Sequence, residues 1–356
     1  MVEKPSHGKV LDLSSIDRRK FIRGTAALGT GTAALQAFIG RVYGEEPDGV
    51  PLVHTYNTKG EPEKVRIVSK ERYRRIMALE DLPESFLEKD HINGASIISL
   101  GNKEEDIGIE VMYSEDSEAT AQDIKKEAKS HVENIPVVTT ETSYESRADS
   151  CNERSFSTDT LEGGLEVGGD GYGILTIGCF RKSDGSPLVV ASDHVMDGDD
   201  KMYQPEGGQE VAELHERSKF DSGEDVTSYT VNSGISVDHR AVFALPDLTG
   251  VWTFSGLTDQ TENSGSVPCT LSGVNSCTVD NSAEATTYFG TRVLHEVEMA
   301  ERNAGDGDSG GPWVDDDNKL VAVHSGTIAG TNDKWDIASA GDEALDAVDA
   351  TLYYSG

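Results

Sequence analysis

The chain has 356 residues and a formal net charge of −33. That length suffices for two compact units with flanking segments, and so much negative charge argues against a nucleic acid or an anionic membrane held by electrostatics, because phosphate would be repelled. The charge is uneven: residues 151–356 hold 37 of the 64 acids but 11 of the 31 bases, which reads as a folded domain of a high-salt environment where screening blunts self-repulsion, rather than as disorder.

In chain order, Ser15-Ile-Asp-Arg18-Arg19-Lys20-Phe21-Ile22 resembles a twin-arginine export signal. The mildly apolar Gly24–Gly40 stretch behind it is too short and too weakly hydrophobic for a membrane span. Residues 1–44 are therefore expected to be an export signal, cut after Ala37 or Gly44, with secretion and no stable membrane anchor. Residues 45–63 read as a polar linker holding Pro47, Pro51 and Pro62. Next come a strand at Lys64–Val68, a helix at Lys70–Leu87, strands at Ala95–Leu100 and Ile107–Tyr113, a charged helix at Glu118–Asn134 and a strand at Ile135–Thr140. The order β-α-β-β-α-β is that of a ferredoxin-like unit. Its place ahead of the acidic domain suggests that 45–150 is a propeptide, with a permanent accessory domain as the alternative. Thr140–Thr158 is polar and reads as the link between the units, open to processing.

From Leu161 the texture is β. Gly171-Tyr-Gly-Ile-Leu-Thr-Ile-Gly-Cys-Phe180 and Leu188-Val-Val-Ala-Ser-Asp-His-Val195 flank an Asp-Gly turn and read as a hairpin. Cys151, Cys179, Cys269 and Cys277 suggest two disulfides in an exported domain. Cys269–Cys277 is the easiest loop to close, which leaves Cys151–Cys179, or else buried free thiols for that second pair. Asp197-Gly-Asp-Asp200 and Asp315-Asp-Asp317 read as solvated acidic turns rather than calcium loops, so no metal or other cofactor is expected. Residues 201–230 show no motif. Ile337–Tyr354 has helical spacing and reads as a closing helix.

The most informative stretch is Gly307-Asp308-Ser309-Gly310-Gly311-Pro312. Glycines around a serine let the backbone turn sharply and leave the hydroxyl uncrowded, and the N–H groups of Gly307 and Ser309 can converge as an oxyanion hole. This motif resembles that around the nucleophile of the trypsin/chymotrypsin-like serine proteases. The resemblance spans about residues 160–335. It implies a mainly β domain over 151–356, made of two antiparallel six-stranded β-barrels, preceded by the small α/β unit. It also implies a peptide or protein substrate and a Ser-His-Asp triad in the order His, Asp, Ser. His194, just after an apolar strand and a small residue, is then the base. Asp238, at the head of an apolar strand, is the candidate acid, with Asp225 and Asp247 as rivals. Asn303 would sit at the floor of the specificity pocket, and Ser325 and Gly326 on its wall. A catalytically silent binding protein of this fold and an esterase on the same triad are the alternatives.

Overall fold

The computed structural model of the chain describes residues 49–353, except 79–81, 88, 90, 102–106, 115–119, 133–134, 143–159, 169–171, 197, 205–207, 219–222, 274–277, 289–292, 302–303, 306 and 330–333. The export signal, most of the expected processing link, Cys151, Cys277 and Asn303 lie outside the described residues.

The N-terminal unit runs β1 (Val50–Asn57), β2 (Pro62–Val68), α1 (Lys70–Ile76), α2 (Glu84–Leu87), β3 (Ile92–Ser99), β4 (Ile107–Ser114), α3 (Ala121–His131) and β5 (Val137–Thr142). Ser69 caps α1 by accepting from Arg72 N, and Thr120 caps α3 by accepting from Asp123 N. The expected linker around Pro51 is instead strand β1; Leu52–Tyr56 is buried throughout, Leu52 in the N-terminal unit's core and Val53 and Tyr56 in the core between the barrels, while Pro51 stays half-buried. The single long helix expected to Leu87 is instead two short ones, the second beginning directly after Pro83, which disfavours helix at the residue before it.

The element order matches a ferredoxin-like unit, but the pairing does not. β2 pairs with β1, and β1 pairs with a strand of the following domain, whereas β3, β4 and β5 form their own ribbon, with β4 and β5 parallel across α3. The two parts share one apolar core, with Leu52, Val68 and Ile76 packed with Ile97, Ile109 and Ile124.

The first barrel follows β6 (Thr160–Gly163). Its strands are β7 (Glu166–Gly168), β8 (Tyr172–Arg181), β9 (Pro187–Ala191), β10 (Lys201–Gln204), β11 (Gln209–Ser218) and β12 (Val226–Val231), with the short helix α4 (Asp193–Met196) after β9. Each pairs with two others, in the closed order β8-β7-β10-β11-β12-β9-β8. The run Leu188-Val-Val-Ala191 is buried on both sides of the sheet. Val189 and Ala191 pack inside the barrel with Leu175 and Tyr229, whereas Leu188 and Val190 pack outward with Val251 of the segment before the second barrel and Leu320 and Val323 of that barrel.

β13 (Ser236–Val242), β14 (Gly250–Trp252) and α5 (Phe254–Ser264) lead to the second barrel, made of β15 (Val267–Leu271), β16 (Val279–Tyr288), β17 (His295–Met299), β18 (Pro312–Asp315), β19 (Lys319–Ala329) and β20 (Lys334–Ala340). It closes in the order β15-β16-β17-β20-β19-β18-β15 around Trp313, Leu271, Val297 and Val321. The two closed antiparallel barrels are those expected from the nucleophile motif. At the end of the chain come α6 (Gly341–Ala347) and β21 (Ala350–Thr351). The helix expected over Ile337–Tyr354 is thus shorter, because Ile337–Ala340 pairs with β17 and β19 instead.

Cys179 and Cys269 are free and buried. Cys179 faces the core between the barrels, and Cys269 faces the second barrel's interior with its Sγ 3.8 Å from the sulfur of Met299. Cys151 and Cys277, the partners expected for them, lie outside the described residues.

Several contacts tie the N-terminal unit to the second barrel and the segment that leads to it. β1 pairs antiparallel with β14, and β3 pairs antiparallel with β16. Between these, Asp259 of α5 is fully buried and accepts from Arg72 Nε at 2.6 Å, Arg66 Nη1 at 2.9 Å and Asn263 Nδ2 at 2.9 Å, with His54 Nε2 at 2.8 Å. Burial alone would raise this carboxyl, but the hydrogen bonds and charge of His54 and Arg72 outweigh it and hold it down at about 2.

Candidate active site

The candidate site lies where the barrels meet. The first barrel brings His194, in the first turn of α4, and the second brings Ser309, in the turn between β17 and β18. His194 Nε2 stands 3.0 Å from Ser309 Oγ. Its Nδ1 stands 2.7 Å from Oδ2 of Asp225, which heads β12 and is completely buried. Asp225 Oδ1 also accepts from His194 N at 3.0 Å, and Oδ2 accepts from Ser192 Oγ at 2.6 Å. Burial alone would raise Asp225, but the His194 charge and the hydrogen bonds from His194 and Ser192 outweigh it and hold the carboxyl below its ordinary value. Asp225 is therefore an anion positioned to fix the imidazole with Nδ1–H toward itself and Nε2 toward the serine.

The expected acid, Asp238, is not at the site. It lies on β13, which pairs with β6 outside both barrels, and it is exposed, accepting from the N–H groups of Arg240 and Ala241. Asp247 is exposed as well and faces Arg240 at 3.5 Å. Asp225 carries the same signal as Asp238, an acid directly before a strand-like run, here Val226-Thr-Ser-Tyr-Thr-Val231. The more apolar run after Asp238 favoured the wrong one. What separates them is burial, which depends on which strands close the barrel.

The nucleophile turn is shaped by its glycines and held by both barrels. Gly310 has φ 87, and a Cβ there would lie 2.2 Å from the carbonyl oxygen of Ile174, so only glycine fits. Gly310 N donates to His324 O and Gly311 N to Asp308 O, both at 2.8 Å. From the first barrel, Ile174 N donates to Ser309 O at 2.8 Å and Thr176 Oγ1 to Gly310 O at 2.6 Å. No hydrogen bond is made by the N–H of Gly307 or Ser309 among the described residues, and both belong to the turn that presents Ser309. Asp308 is buried and accepts from Gly305 N at 2.8 Å. On β19, Ser325 is buried two residues beyond Val323, and Gly326 follows it opposite Ile337 of β20. Just before them His324 is buried, its imidazole pushed down to about 4 by burial and by the His194 charge, against the pull of Asp308 and Asp225.

Among the described residues no cluster of three or more His, Cys, Asp or Glu side chains has the arrangement to hold a metal ion, and no helix is long and apolar enough to cross a membrane. Two closed six-stranded barrels, with a Ser, His and Asp hydrogen-bonded in series across their junction, have the architecture of the chymotrypsin type. Residues 174–342 match the family model described as Trypsin, so this part of the chain is a domain of the trypsin-like serine protease family. No curated protein matches the chain. Similar solved structures include a glutamic acid specific serine protease, at 20% identity over 54% of this chain and 100% of that one with a TM-score of 0.39. A Nocardiopsis protease is 18% identical over 55% of this chain and 100% of that one, with a TM-score of 0.40. Thermobifida fusca Protease A is 15% identical over 55% and 100%, with a TM-score of 0.39.

Proposed function

We propose that the chain is a secreted serine endopeptidase that cleaves peptide bonds through an acyl-enzyme, with Ser309 as nucleophile, His194 as base and Asp225 as the acid. The observation that carries this reading is the unbroken series from the buried Asp225 through His194 to Ser309, at 2.7 and 3.0 Å. Ser309 Oγ attacks the scissile carbonyl while His194 Nε2 takes its proton. The tetrahedral oxyanion is met by the N–H groups of Gly307 and Ser309. The C–N bond then breaks as His194 returns the proton to the leaving amine, which leaves an ester on Ser309. Water, deprotonated by His194, hydrolyses that ester and restores the free serine. Asp225 keeps the imidazole in the productive tautomer and stabilises its charged form. Ser325 and Gly326 on β19, with Asn303, are proposed to line the pocket for the substrate side chain.

Residues 1–44 are proposed to direct twin-arginine export, and residues 45–150 to act as a pro-unit docked on the second barrel. The carboxylate at His194 favours an enzyme over a catalytically silent binding protein. The test is labelling with an organofluorophosphonate in high salt, paired with turnover of peptide and ester substrates. Label on the parent chain and none on Ser309→Ala is the expected result; equal behaviour of the two would refute the nucleophile, and turnover of esters without peptides would make the protein an esterase. The N-terminal residue of the secreted protein, read by mass spectrometry, tests the export and pro-unit assignments.

A further inference from the structure

Each barrel holds the other's reactive turn. The turn of Ser309, from the second barrel, is pinned on β8 of the first through Ile174 and Thr176. The turn of Asp225, from the first barrel, is pinned on the second. Leu294 N donates to Gly223 O at 2.9 Å, and Asp225 N donates to Ser339 Oγ at 3.1 Å. Between them, Glu224 Oε1 accepts from His295 N at 3.0 Å and lies 2.6 Å from His295 Nδ1. β17 and β20 are neighbours, with Glu296 opposite Ser339, so the anchors stand side by side. Glu224 is 2% exposed. A carboxylate this deep is costly unless paired, and its pairing ties down the residue directly before Asp225.

We propose that Glu224 and His295 are positioning residues, a second carboxylate–imidazole couple that keeps Asp225 in register with Ser309 across the barrel boundary. The inference rests on the triad reading. The groups that face His295 are Glu224 from the turn, Asp342 and Glu343 from α6, the latter at 3.9 Å, and the edge-on ring of Phe254 from α5. Burial alone would lower the imidazole, but Glu343, Glu224 and Asp342 outweigh it and raise it to about 9. Because the folded value lies above the ordinary 6.5, the charged couple contributes fully below 6.5 and is lost as pH rises through about 9.

The test uses the full secreted chain, Glu224→Ala and the isosteric Glu224→Gln, each checked for cooperative thermal unfolding. Glu224→Ala is expected to lower kcat by about 10- to 100-fold with KM unchanged, as loss of reactant alignment does. Glu224→Gln keeps an acceptor for His295 N, so it retains most of kcat at neutral pH, while the descending alkaline limb of its kcat profile moves to lower pH. It also decides the matter if the alanine variant does not fold. Folded variants with the parent's kcat per folded molecule and the parent's alkaline limb would overturn the inference and leave the triad intact. A parent chain that takes no fluorophosphonate label would instead overturn the triad reading beneath it.

Discussion

Replacing Asp225 by Asn is the sharpest test of which acid serves His194. The carboxylate takes three hydrogen bonds, from Ser192 Oγ at 2.6 Å, His194 N at 3.0 Å and His194 Nδ1 at 2.7 Å. Asparagine has the same shape and one acceptor oxygen. When that oxygen takes the place of Oδ1 and accepts from His194 N, the amide N–H stands in the place of Oδ2 and meets His194 Nδ1. Two donors facing each other force Nδ1 to give up its proton, so the proton moves to Nε2, the atom that must receive one from Ser309. The expected loss is about 10⁴ in kcat, or ~5.4 kcal/mol of transition-state stabilisation. The fold survives, because the change is isosteric. The assay is steady-state peptide hydrolysis beside thermal unfolding. Asp238→Asn is the control: its exposed side chain accepts from Arg240 N and Ala241 N, contacts that asparagine reproduces, so kcat stays unchanged. A folded Asp225→Asn variant with parental kcat, or an Asp238→Asn variant that loses it, would refute the assignment.

Other outcomes follow from the same geometry. Asp259→Ala leaves Arg72, 1% exposed, without its carboxylate; the cost is about 3–5 kcal/mol, read as a lower melting temperature and faster protease nicking of residues 50–142. Acid should destabilise the protein in two stages. His324 sits at about 4 against an ordinary 6.5, so the unfolded chain binds its proton first and stability falls as pH drops between those values; Asp259, held at about 2 against 3.8, adds a second loss below 3.8. Urea midpoints across that range measure both, and His324→Asn should remove the first. Cys179 and Cys269 should resist thiol reagents in the native protein and react on unfolding, since burial raises both thiols, Cys269 to about 12. Thr176→Val removes the hydroxyl that holds Gly310 O and should cost about 1 kcal/mol, with a matching loss of fluorophosphonate labelling rate if the turn shifts.

Local signals carried much of this fold. The hairpin of β8 and β9 announces itself by two apolar runs about an Asp-Gly turn, and Ser309 by glycines that only a tight turn needs. The β10–β12 region was opaque because its polar outward positions, such as Glu213 and Glu216 of β11, dilute the apolar alternation of a barrel that buries one face. Asp225 ranks only as a rival in the sequence for a different reason: its strand is recognisable, but its burial comes from Ser192, His194 and Ser339, residues 33, 31 and 114 positions away. The ferredoxin-like expectation failed on a related point. Element order is local, whereas β1 and β3 take as partners β14 and β16, whose paired residues lie 197 (Thr55 to Trp252) and 191 (Ser96 to Thr287) positions downstream.

The buried Asp259 bears on how the protein should respond to salt. With 64 acids against 31 bases, the two folded parts repel one another over their surfaces, and dissolved ions weaken that repulsion. The attraction among Asp259, Arg72 and His54 is sealed from solvent, where ions do not reach. Raising the ionic strength is therefore expected to weaken the surface repulsion while sparing this buried cluster, so the contact between the parts should tighten in brine.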